Sequence, residues 1–163
     1  MHLTTPRLTL RLVRHSDARA LTAILNQTST SQFNDYGASV SDAEIKDWLQ
    51  WDIEQAYTGL GLRLVLINNE QTIVGSIGLH LEAKNSLSLG LELDEHCRGQ
   101  GLMLEALQAL LLACQQFPWQ RQPEQIVATI HQDNRKAINL VEKLAFKLQS
   151  ASDLHLIYHF ALS

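Results

Sequence analysis

Apolar and polar residues alternate from Arg7 to Val13, "RLTLRLV", with the period of a half-buried strand. The period then lengthens. In "HSDARALTAILNQ", Ala20, Leu21, Ile24 and Leu25 recur at helical spacing, and Ser16 stands where an N-cap is expected. Residues 28–39 are small and polar with two aromatics, which predicts a loop with room for a short helical turn. A second helix begins at "SDAEIKDWLQWDIEQA": Ser41 precedes Glu44 by three residues, a capping-box pattern, and Ile45, Trp48, Leu49, Asp52 and Ile53 continue it.

Beyond Gly59 and Gly61 the pattern changes to strands. "LRLVLINN" and "TIVGSIGLHLE" flank the turn residues Asn68 to Gln71 and read as a hairpin. In "SLSLGLELD", Leu87, Leu89, Leu91 and Leu93 take one face, while Ser86, Ser88, Gly90, Glu92 and Asp94 take the other. A helix from Gly101 to about Gln116 places Met103, Leu107, Leu110 and Cys114 on one stripe. "QIVATI" is a continuous apolar run, which predicts a strand buried on both faces. "NRKAINLVEKLAF" turns Ala137, Leu140, Val141 and Leu144 inward on a last helix, and "HLIYHFAL" closes the chain as a strand that could pair across a homodimer. This order predicts an α/β (α+β) chain with one central mixed sheet and helices on its faces.

The length of 163 residues suits a single domain, 1–163, with a full core. A net charge of −4 argues against a general nucleic-acid partner, which would need a basic face. No apolar run is long enough to span a bilayer, and "MHLTTPRL" lacks a signal pattern, so no membrane role is expected. Cys97 and Cys114 have no metal-ligand spacing and read as reduced thiols of a cytoplasmic protein; no metal is implied.

The chemistry concentrates in "RGQGLMLEAL", residues 98–107, between a strand and a helix. Glycines let a backbone approach a ligand closely, and a helix start offers free N–H groups and partial positive charge to an anion. A tight turn without a ligand would use the same residues.

With its flanks, this stretch resembles the GCN5-related N-acetyltransferase (GNAT) superfamily, in particular its bacterial branch of ribosomal-protein N-terminal acetyltransferases. Three segments carry the resemblance: Arg98-Gly99-Gln100-Gly101-Leu102-Met103, "NRKAINLVEKLAF", and "TPRLTLRLVRHSDARAL". Met103 departs from the usual Gly or Ala, and Ala145 stands where Gly is usual.

The resemblance implies a mostly antiparallel sheet of six or seven strands with about four helices, splayed between the fourth and fifth strands. It implies acetyl-CoA as donor and an amine acceptor, a protein N-terminus or a small molecule. The backbone of Arg98, Gly99, Gln100, Gly101, Leu102 and Met103 would cradle the CoA pyrophosphate. Leu91 and Leu93 would line the pantetheine, the Leu93 N–H polarising the acetyl carbonyl, and Asn134 would contact the same arm. Arg135 and Lys136 stand where they could meet phosphate or solvent.

Acetyl transfer to an amine needs a proton acceptor and stabilisation of the carbonyl oxygen. Glu92 and His131 are the candidate bases, with His80 and Glu82 behind them. Val141 occupies the place of a tyrosine that many relatives hold near the CoA sulfur, leaving Tyr158 or Tyr36 as alternative donors. Cys97 has no paired base and makes a poor nucleophile. Phe33, Asp35 and Tyr36, with Trp48 and Trp51 nearby, are the acceptor-site candidates; both tryptophans could instead be core residues of the second helix, and for Trp48 the core is the favoured place. The competing reading is a GNAT-like module that holds acyl-CoA without turnover.

Overall fold

The computed structural model describes residues 1–27, 32, 33 and 39–163. Eight strands form one sheet: β1 (His2–Thr4), β2 (Leu8–Leu12), β3 (Gly61–Asn68), β4 (Ile73–Leu81), β5 (Ser86–Leu93), β6 (Gln125–His131), β7 (Lys147–Ala151) and β8 (His155–Ala161). Their spatial order is β1-β2-β3-β4-β5-β6-β8-β7. Every described neighbour pair is antiparallel except β5–β6. Among the described residues the α-helices are α1 (Ala18–Leu25), α2 (Asp42–Thr58), α3 (Leu102–Ala113) and α4 (Arg135–Lys143). No described helix is long and apolar enough to cross a membrane.

The sheet exceeds the expected six or seven strands at its two edges. β1 is only three residues long and gives no periodic signal, and every residue of β7 is exposed, so no apolar alternation marks it. β7 also covers β8, which pairs with β6 on its other side. The strand "HLIYHFAL" is therefore interior, and its edge is not free to pair across a dimer.

Helices cover the two faces separately. Leu62, Leu64 and Leu66 of β3 pack in one core with Met103, Leu107 and Leu110 of α3 and with Ile138 and Val141 of α4. Val65 turns to the other face and joins Leu21 and Leu25 of α1 and Ile45 and Leu49 of α2. β6 is buried on one face only: Ile126, Ala128 and Ile130 are buried, while Val127 is half-buried and Thr129 exposed. The two-face burial expected of "QIVATI" fails because α1 and α2 pack over β3, β4 and β5 and leave β6 uncovered.

The helix ends follow local chemistry. Ser41 and Glu44 form the expected reciprocal cap. Ser16 does not cap α1. Asp17 organises that corner instead: its carboxylate accepts from the Arg14 N–H and receives two bonds from the Arg11 guanidinium, at 2.8 and 2.9 Å. Burial pushes the Asp17 carboxyl up, but the bonds from Arg11 and Arg14 outweigh it and hold the group below its ordinary value.

At the end of α4, Phe146 N–H bonds to the Val141 carbonyl and Ala145 N–H to that of Glu142, a Schellman closure. Ala145 takes φ 64, the left-handed region. That backbone explains why glycine is usual there, since a Cβ is disfavoured in it.

Two outcomes follow. Ala145→Gly relieves the left-handed alanine at an exposed site and raises stability by about 1 kcal/mol, read as a thermal shift of about 3 °C; an unchanged or lower midpoint contradicts it. Asp17→Asn leaves Arg11 without its charge partner and lowers stability by about 3 kcal/mol at neutral pH. Because the folded pKa lies below the unfolded value, the wild-type advantage is present above about pH 4 and narrows as the pH falls below it. Denaturant titrations at pH 7 and pH 3 measure both effects, and a pH-independent gap would contradict the ion-pair account.

Candidate active site

The site starts where β5 and β6 part. They pair over three residues only, Ser86 to Ser88 with Gln125 to Val127. On its other side β5 pairs with β4 along its full length. The Asp94 N–H donates to the Val74 carbonyl and the Ser86 carbonyl accepts from the Glu82 N–H, so even-numbered residues direct their backbone groups at β4. Strand alternation then directs those of Leu89, Leu91 and Leu93 at the gap beyond the β5–β6 pairing. The Leu93 carbonyl is taken by Arg98, whose Nε and Nη2 lie 3.2 and 3.1 Å from it. Leu91 and the Leu93 N–H still face the gap, where an extended, amide-bearing arm could add as a strand.

The glycine loop continues this edge. Gly99 and Gly101 both take left-handed φ, 74 and 76. Nothing lies within 4 Å of a Cβ placed on Gly99, so the backbone angle rather than space calls for glycine there. Gly101 is the N-cap of α3, and the first helical bond runs from the Glu105 N–H to its carbonyl. The N–H groups of Leu102, Met103 and Leu104 thus lack intrahelical acceptors. Alternating left-handed residues ahead of a helix start form a concave, anion-binding backbone. Met103 points its side chain into the core at 8% exposure, so its departure from Gly or Ala leaves the loop surface unaltered. The unpaired edge and the open loop together fit the pantetheine arm and pyrophosphate of a coenzyme A thioester.

On the opposite face lies a cleft of about 390 Å³ between α1, α2 and the sheet. Leu21, Leu25, Ile45 and Trp48 are among its walls, and Asp52, Arg63, Ser76 and Glu92 form a polar floor. Arg63 holds that floor together: Nε lies 2.6 Å from Asp52 Oδ2, and Nη1 lies 3.0 Å from Glu92 Oε2 and 3.1 Å from Ser76 Oγ. Ser76 also donates to Glu92 Oε2 at 2.6 Å. Glu92 Oε1 has no hydrogen-bond partner among the described residues. His80 stacks on Trp51, with ring centroids 4.7 Å apart, and its Nε2 lies 3.4 Å from Asp52 Oδ1. Burial holds the His80 imidazole below its ordinary value despite Asp52, so the ring is neutral near pH 7.

Sequence reasoning found Glu92 and missed Asp52, Arg63 and Ser76 as site residues. One signal was present: Asp52 falls on the Ile45–Leu49 stripe, where a carboxylate is out of place unless paired. Trp51 is 49% exposed, while Trp48 is half-buried against the smaller core and lines the cleft.

The other candidates scatter. His131 ends β6; its Nδ1 accepts from the Asp133 N–H, and its ring lies 5.4 Å from Phe33 and 5.6 Å from His155. That lone pair is therefore engaged. Asn134 caps α4 through Oδ1, leaving its NH₂ as the donor for a ligand. Arg135 and Lys136 are exposed on the first turn of α4. Val141 is fully buried in the larger core. The Tyr158 hydroxyl donates to Glu142 Oε1 at 2.7 Å, and that bond, with burial, raises the phenol. Burial first, then Asp94 and Glu70, push the Cys97 thiol up, against a nucleophilic role. The Ser88 hydroxyl donates to Glu82 Oε1 at 3.1 Å. Asp35 and Tyr36 lie outside the described residues.

Comparison with known proteins agrees with this architecture. No curated protein matches the chain. Among solved structures, RimL, a ribosomal-protein alpha-N-acetyltransferase in complex with coenzyme A, superimposes with a TM-score of 0.86 at 20% identity, over 99% of this chain and 98% of the other. A ribosomal-protein alanine acetyltransferase from Vibrio fischeri gives 0.81 at 17%, over 100% and 97%. The spermidine N-acetyltransferase of Vibrio cholerae, with CoA and spermine, gives 0.82 at 14%, over 97% of each chain. At these identities the likeness shows the fold. The family model described as the acetyltransferase (GNAT) domain matches residues 7–147, and the chain belongs to that family of acetyl-CoA-dependent acyltransferases.

Proposed function

We propose that this chain, as one GNAT domain over residues 1–163, transfers an acetyl group from acetyl-CoA directly to a primary amine in a ternary complex. The observation that carries this reading is the continuity of the free β5 edge at Leu91 and Leu93 with the glycine loop at the start of α3. One groove would take the thioester arm and the diphosphate together. Arg98, Gly99, Gln100, Gly101, Leu102 and Met103 would supply the diphosphate cradle, and the Asn134 NH₂ would reach the arm. When bound, acetyl-CoA supplies an activated acyl carbon. The Leu93 N–H would donate to its carbonyl oxygen as negative charge develops there.

The acceptor amine would enter the α1–α2 cleft, whose floor ends at Glu92, the residue between Leu91 and Leu93. Glu92 Oε1 would take the proton that the entering ammonium must lose, while Ser76 and Arg63 hold Oε2 still. His131 is the weaker base because its Nδ1 is occupied. The apolar cleft walls favour an amine with an apolar flank, and the full-length likeness to ribosomal-protein acetyltransferases supports a protein N-terminus as acceptor. Phe33, beside His131, would extend the acceptor surface, and Asp35 and Tyr36 are proposed for it from the sequence alone.

A second reading, a module that holds acyl-CoA without turnover, has one observation in its favour. Val141 is sealed in the core and Tyr158 is bonded to Glu142, so neither is set to protonate a departing thiolate.

Thiol release from acetyl-CoA across peptides, polyamines and amino acids separates the two. Turnover with apolar-flanked amines is expected; acetyl-CoA binding without turnover on any amine supports the module. With the best acceptor, Glu92→Gln is expected to lower kcat/KM about 100-fold at pH 7, with acetyl-CoA affinity unchanged. His131→Gln should stay within about threefold, the range of a lost neutral contact. The opposite ranking would reassign the base.

A further inference from the structure

Arg7, on the turn between β1 and β2, makes contacts that the proposed chemistry does not use. Its Nη1 donates to the Gln100 carbonyl at 2.8 Å, and its Nε donates to Glu105 Oε2 at 2.7 Å. The Arg7 backbone N–H and the Thr5 hydroxyl donate to Glu105 Oε1, at 2.9 and 2.6 Å. One turn of the sheet edge therefore grips both the glycine loop and the first turn of α3.

The consequence is geometric. The Gln100–Gly101 peptide is trans, so its carbonyl and the Gly101 N–H point in opposite directions. Fixing the carbonyl on Arg7 fixes that N–H on the far side. With φ 74 and 76 at its two glycines, this loop has a backbone that its own residues leave permissive. The Gly101 N–H has no acceptor among the described residues. Arg7 Nη2 lies only 3.6 Å from the point a Gly101 Cβ would occupy. Glu105 matters too: burial pushes its carboxyl up, but the bonds from Thr5 and Arg7 hold it below its ordinary value, so it stays charged beside the cradle.

We infer that Arg7 is a positioning residue for the donor: by holding the Gln100 carbonyl it presets the Gly101 N–H toward the diphosphate of acetyl-CoA. This rests on the reading of the loop as the diphosphate cradle. The role is one of orientation rather than of offsetting the Glu105 charge.

The test uses two donors, acetyl-CoA and S-acetylpantetheine, which carries the same thioester arm without the diphosphate. In Arg7→Ala the dissociation constant for acetyl-CoA is expected to rise about tenfold, the scale of a lost charge-assisted bond. The rate with S-acetylpantetheine should stay within about twofold, because the lost bond acts only through the diphosphate. Arg7→Lys keeps the charge but cannot hold Gln100 and Glu105 at once, and should lose several-fold in the same pattern. It carries the measurement if Arg7→Ala fails to fold.

Adding Glu105→Gln to Arg7→Ala should not restore binding. Restoration would overturn orientation in favour of charge offset. Unchanged acetyl-CoA affinity, or an equal loss with both donors, would also overturn the proposal. A wild-type protein that binds no acetyl-CoA would overturn the cradle itself, a result distinct from failure of the Arg7 step alone.

Discussion

The structure depends on the early end of the β5–β6 pairing. A parallel pair that continued past Ser88 would satisfy the backbone of Leu89, Leu91 and Leu93 and leave an unbroken sheet. Unpaired strand edges are costly to leave bare in a folded protein. Here the edge is kept open and managed: Arg98 closes the Leu93 carbonyl, and the remaining donors face a groove that leads into the glycine loop. The start of α3 lies at the end of that groove. Strand edge and helix start thus bring complementary chemistry to one path, amide pairing at one end and anion binding at the other.

The two sides of β5 divide the labour. Its backbone edge is the proposed donor side, while Glu92, on one face of the strand, reaches the floor of the α1–α2 cleft. Arg63 links the cleft floor across four elements: it stands on β3, bonds Asp52 of α2, and meets Ser76 of β4 and Glu92 of β5. Such half-buried ionic networks add little net stability but fix geometry, because breaking one partner leaves the others unpaired. Their value here is that one Glu92 oxygen is held and the other left toward the cleft.

Much of the fold was legible in the sequence because it is periodic. The leucine alternation of β5, the glycine loop behind it and the Ser41–Glu44 cap are local patterns, and each formed where expected. The resemblance to a family added the splay, which no periodicity shows. β1 was too short to carry a period, and the exposed β7 had none. Asp17 displaced Ser16 at the α1 corner because a carboxylate can hold Arg11 and the Arg14 N–H together. Arg63, Ser76 and Glu92 meet only through the sheet register and Asp52 only through the packing of α2 on the sheet, so their network was out of reach apart from the misplaced charge of Asp52. Arg7 was hidden similarly, since its partners lie more than ninety positions along the chain.

The central claim is that one continuous backbone surface, from the β5 edge to the first turn of α3, holds the donor. Amide hydrogen exchange with and without acetyl-CoA tests it most directly, since it reads the N–H groups themselves. The account predicts slowed exchange at Leu91, Leu93 and Gly99 to Met103 in a single block, with the interior of β3 unchanged. Protection of the loop without Leu91 and Leu93, or protection confined to the α1–α2 face, would contradict it.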